Sequence, residues 1–103
     1  MAELLVKFDE PIVGPAGEKY FADAVGSEVD GGLWEGWLEF LPVSPGSSAL
    51  ESGRETTQPN RTDIEYWAQG LTRVYLEGAL ARAISLAERP QETGETARYR
   101  PPI

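Results

Sequence analysis

Two residue types are missing from this sequence, cysteine and histidine. Without cysteine there are no disulfides and no thiolate metal sites, and an oxidising compartment gains no support. The lack of histidine excludes more. It removes the commonest general base near neutral pH and the commonest metal ligand, and with them Ser–His and Cys–His nucleophilic catalysis. Long apolar runs are missing as well. No stretch approaches the ~20 apolar residues of a membrane span, and the leading MAELLVKFDE lacks the apolar core of a signal peptide. A cytoplasmic protein with no membrane association is the expectation.

Basic residues are scarce: nine Lys and Arg stand against seventeen Asp and Glu, a formal charge of −8. The imbalance is local. Residues 1–53 carry ten acids and two bases (2 − 10 = −8), whereas residues 54–103 carry seven arginines and seven acids, which cancel. A field of that sign repels nucleic acid and favours basic protein partners or cations. Its plainer effect is to keep a small domain soluble.

What is present suffices for one modest core: 103 residues, 41% of them hydrophobic. A single domain is expected over residues 1–89. Residues 90–103 are polar and proline-rich without periodicity, and read as a flexible carboxy-terminal tail. Extended segments are expected at ELLVKF, YFADAV and LWEGWLEFLPV, separated by DEPIVGPAGEK, GSEVDGG and SPGSS. A fourth, mostly polar segment runs into GRETTQPNR, residues 53–61. Its polarity on both sides suits an edge strand.

Thr62 and Glu65 have the spacing of a T-x-x-E capping box, and Pro59 keeps Gln58 extended. One long helix is therefore expected from there to about Glu88 or Arg89, ended by Pro90. The predicted fold is α+β: an antiparallel sheet of about four strands followed by one long carboxy-terminal helix packed on it.

On a continuous helix, Ile64, Trp67, Ala68, Leu71, Val74, Tyr75 and Ala79 make one apolar stripe that should face the sheet. Gly78 lies in it, where close approach to a strand or to Trp34 would offset the helix cost of glycine. Leu76, Leu80, Ala83, Ile84 and Ala87 make a second stripe. A single sheet leaves that stripe without a use, so the reading is a two-fold homodimer through it, with cover by the tail as the alternative. Replacing Leu80 and Ile84 by Glu is then expected to give a soluble monomer.

Period-two alternation in LWEGWLEFL puts Trp34, Gly36, Leu38 and Phe40 on a core face. Trp37 falls on the other face between Glu35 and Glu39, suited to a planar or cationic ligand or simply to cross-strand packing. Arg54 and Arg61 flank the helix start with Glu55 between them, and Tyr66 lies nearby. Two guanidiniums there could clamp an anion, or could pair with Glu35 and Glu39 on the surface. Glu28, Asp30 and Glu35 lack calcium-loop spacing. Glu35 and Glu39 would stand roughly 13 Å apart on a strand, too far for paired-carboxylate glycoside chemistry.

Neither a cofactor nor a metal is expected. The leading functional expectation is a non-catalytic dimeric interaction or regulatory module with a basic protein partner. The alternatives are a small-ligand-binding domain using the Trp37 and Arg54/Arg61 region, and a histidine-free enzyme.

Overall fold

The computed structural model describes residues 2–88. In chain order the elements are β1 (Glu3–Lys7), β2 (Ile12–Val13), β3 (Lys19–Glu28), β4 (Trp34–Pro42), β5 (Leu50–Glu51), β6 (Thr56–Gln58), α1 (Arg61–Gln69) and α2 (Arg73–Ala87). The fold is α+β, with an antiparallel six-stranded sheet.

The β3–β4 hairpin forms the middle of the sheet, opposed from Tyr20↔Pro42 to Glu28↔Trp34. At its tip Gly31 and Gly32 both have φ of 79°, a region that glycine enters without a Cβ penalty. Val29 N–H closes the turn on the Leu33 carbonyl at 2.7 Å. β1 and β2 both pair with β3, and β5 and β6 both pair with β4. Each outer row is thus one line of strand interrupted once, which is why about four segments were visible in the sequence. β2 lies inside DEPIVGPAGEK, expected as a turn; the β-branched pair Ile12–Val13 is short but pairs with Tyr20 and Lys19.

Both helices lie on one side of the sheet. Tyr20, Ala22 and Ala24 of β3 and Leu38 and Phe40 of β4 form a core with Ala68 of α1 and Leu76, Ala79, Leu80 and Ala83 of α2. Each fully buried large side chain, such as Phe40 or Leu80, stabilises by ~1.5–3 kcal/mol. Close approach occurs at Gly36, where a Cβ would stand 2.7 Å from Trp67 Cζ3 and 3.0 Å from Ile64 Cδ1. Gly36 faces Gly26 across the ladder, and the paired glycines let α1 settle onto the sheet. Gly78 has no such role: it is exposed, and a Cβ there would meet only Arg82 Nη1 at 3.9 Å.

The single long helix of the sequence reading is two. Gly70 caps α1, its N–H bonding the Tyr66 and Trp67 carbonyls, and Thr72 starts α2 by accepting the Tyr75 N–H on its hydroxyl at 3.2 Å. The first cap also differs from expectation. Asn60, not Thr62, takes the N-cap, its Oδ1 accepting the Asp63 N–H at 2.8 Å.

The break resets the helical phase by about 100°, one residue's rotation. Consequently the two stripes of the sequence reading merge into one sheet-facing stripe. Leu76, Leu80 and Ala83 are buried within this chain, Ile84 packs against the core, and Ala87 is exposed. Val74 and Tyr75, expected inside, are 80% and 38% exposed. Three of the five residues expected to meet a second copy, Leu76, Leu80 and Ala83, therefore find their cover within the chain's own core. The expected tail, residues 90–103, lies outside the described residues.

Candidate functional site

Two regions are distinctive: the uncovered face of the sheet, and an irregularity on its β5–β6 edge.

The edge is built by a change of register. Gly36 opposes Thr56, whereas Glu39 opposes Glu51, so the outer row has two residues more than β4 over that span. Ser52 N–H bonds the Leu38 carbonyl at 2.9 Å, and Glu55 N–H bonds the Gly36 carbonyl at 2.8 Å. Gly53, Arg54 and Glu55 thus share the position opposite Trp37, a bulge. The buried Ser52 hydroxyl secures it, accepting from Leu38 N–H at 3.0 Å and donating to the Gly53 carbonyl at 2.8 Å.

The bulge reverses the alternation. Thr56 faces the helices, so a regular strand would turn Glu55 to the open face and Arg54 to the helices. Instead Arg54 reaches Glu35 on the open face at 3.2 Å, and Glu55 reaches α2. There Glu55 Oε1 accepts from the Tyr75 hydroxyl and from Arg82 Nη2 at 2.8 Å. The Glu55 side chain is only 8% exposed. Its hydrogen bond, and then burial, raise the Tyr75 pKa above its ordinary value, so the phenol keeps its proton and donates. The Arg82 guanidinium also lies 5.9 Å from the Tyr75 ring centroid. Between residues 52–55 and the Arg82–Leu86 flank of α2 opens a cleft of about 570 Å³.

The open face carries Phe21, Asp23 and Val25 from β3 and Glu35, Trp37, Glu39 and Leu41 from β4. No helix of the described residues packs on it. At its centre Val25 is only 5% exposed. Lys7 pairs with Asp23 at 3.3 Å, and Trp37 Nε1 donates to Glu39 Oε2 at 3.3 Å. Glu39 directly opposes Glu51, a like-charge pair that costs stability unless a cation lies near it. Neither forms a salt bridge among the described residues. Leu41, Ala49 and Leu50 complete a shallow pocket of about 280 Å³ around them.

The residues singled out from sequence are dispersed. Trp37 lies on the open face, beside Arg54 and its partner Glu35. Arg61 is on the opposite side, bonded to Glu3 and to Glu65 at 2.9 Å and placed 5.4 Å from the Trp34 ring centroid. Hydrogen bonds to Glu65, then to Glu3, raise its pKa further. Tyr66 is 70% exposed and joins neither group.

All four arginines of the described residues are in ion pairs: Arg54 with Glu35, Arg61 with Glu3 and Glu65, Arg73 with Glu10 and Glu77, Arg82 with Glu55. A two-arginine anion clamp is therefore not formed. A further cleft of about 380 Å³ beside Arg73 has that cation already held by Glu10, Glu77 and the Pro11 carbonyl.

Among the described residues no group of three or more acidic side chains is placed to hold a metal, and no helix is long and apolar enough to cross a membrane. No protein-family model matches the chain, and no similar protein was found among curated sequences or among solved structures. The chain's own geometry is what bears on function.

Proposed function

We propose that this protein is a non-catalytic interaction module that receives a basic, partly apolar protein segment on the uncovered sheet face. The observation carrying this reading is the opposed Glu39–Glu51 pair beside Trp37 and Leu41, without a salt bridge among the described residues and on a face that no helix of those residues covers. A lysine or arginine entering between the two carboxylates would relieve their repulsion, and its stem would lie along Trp37 and Leu41. Engagement of the four arginines in ion pairs supports the same sign of partner, since the charge left over is acidic.

The dimeric part of the sequence expectation is not retained, because Leu76, Leu80 and Ala83 are buried in the chain's own core. The test is a titration of isotope-labelled protein with an alternating Lys-Leu peptide, followed through backbone amide shifts. Shifts at residues 23–25, 37–41 and 50–51 that weaken with salt and are lost in a Glu39→Gln, Glu51→Gln double variant are expected. Shifts confined to the helix side, or none, refute the proposal. A native mass of twice the chain's without peptide would instead make a second copy the occupant.

A further inference from the structure

The cleft on the helix side of the β5–β6 bulge is separate from the open face and is used by neither the core nor the interaction proposed above. We propose that it binds a small neutral molecule presenting an N–H or O–H donor from an apolar ring.

Size is the first support. At about 570 Å³ the cleft falls within the range of small-molecule sites, roughly 300–1,000 Å³. The second is an unused acceptor. Glu55 lines the cleft with its side chain more than nine-tenths buried, and Tyr75 and Arg82 both bond its Oε1. Oε2 has no hydrogen-bond partner among the described residues. On a side chain so little exposed, that free acceptor is one that a donor entering the cleft would satisfy.

The third support is the wall. Gly53 has no positive φ, and a Cβ built on it would meet nothing within 4 Å. Neither backbone nor packing requires glycine there; its missing side chain leaves the mouth open. Leu86, 50% exposed, supplies apolar surface from α2. Charge decides the class of ligand. Glu55 and Arg82 already neutralise one another, so a charged guest would enter the cleft without a counter-ion, whereas a neutral donor completes the carboxylate at no such cost.

Indole, with one N–H and no strong acceptor, is the probe, and 1-methylindole is its donor-free control. Both are titrated into the full-length protein and followed by amide shifts. Indole is expected to shift residues 52–55 and 81–86 and to bind roughly tenfold more tightly than 1-methylindole, the factor for one hydrogen bond to a charged acceptor. Glu55→Gln should bring the two affinities together. Because that variant alters a buried group, Ser85→Trp provides a second arm. It starts from an exposed position on α2 and should fill the cleft, abolishing indole binding with the remaining amide spectrum unchanged. Equal binding of the two probes to the parent protein, or no shifts in the cleft, overturns the proposal.

Discussion

Gly36 shows how one missing methyl sets the distance between layers. A Cβ at that position would sit 2.7 Å from Trp67 Cζ3, with Ile64 Cδ1 at 3.0 Å and Thr56 Cγ2 at 3.1 Å on its other sides. Gly36→Ala should therefore destabilise by ~1–3 kcal/mol, the usual cost of overpacking a filled interior. Gly78→Ala, exposed in mid-helix, should stabilise by up to ~1 kcal/mol. Urea unfolding of the two variants checks both signs, and equal effects would place the close approach elsewhere. The sequence reading assigned that contact to Gly78 because it assumed one continuous helix. It likewise could not foresee the exchange of Arg54 and Glu55 between faces. A bulge of polar residues leaves no trace in hydrophobic periodicity, since neither side of the strand is apolar in either register.

At the scale of the element, the alternation in β4 was legible because one of its faces is buried and the other only partly so. The helix was legible as helix but not as two. Gly70 followed by Thr72 is a stop and a start, yet the helix-forming residues on either side supply a good pattern across them. The apparent second stripe was the sign of the break: α1 and α2 each bury one stripe, offset by about 100°. Cap assignments can be separated by substitution. Asn60→Ala and Thr72→Ala should each cost ~1 kcal/mol, while Thr62→Ala, exposed within the first turn, should cost clearly less. Chemical denaturation of the three variants distinguishes this arrangement from a single helix capped at Thr62, which would rank them in the opposite order.

Across the whole molecule, the sheet and helix layers meet through an apolar core at the centre and through polar links at the edges, among them one at the β5–β6 bulge. Glu55 on the bulge, Tyr75 in the first turn of α2 and Arg82 two turns further on form that link. Its dependence on pH follows from Tyr75, which is neutral when protonated and whose folded pKa lies above the unfolded value of about 10. Between the two values the folded chain holds more protons than the unfolded chain, so stability falls as pH rises. The contribution is complete below pH ~10 and is lost as pH passes the folded pKa. Comparison with Tyr75→Phe isolates it, because every other residue is common to the two proteins. The stability difference between parent and variant should stay level from pH 8 to about 10 and shrink above it. Parallel curves to pH 12 would mean that the phenol does not donate to Glu55 in solution. The link between the bulge and α2 would then rest on the ion pair of Arg82 with Glu55 alone.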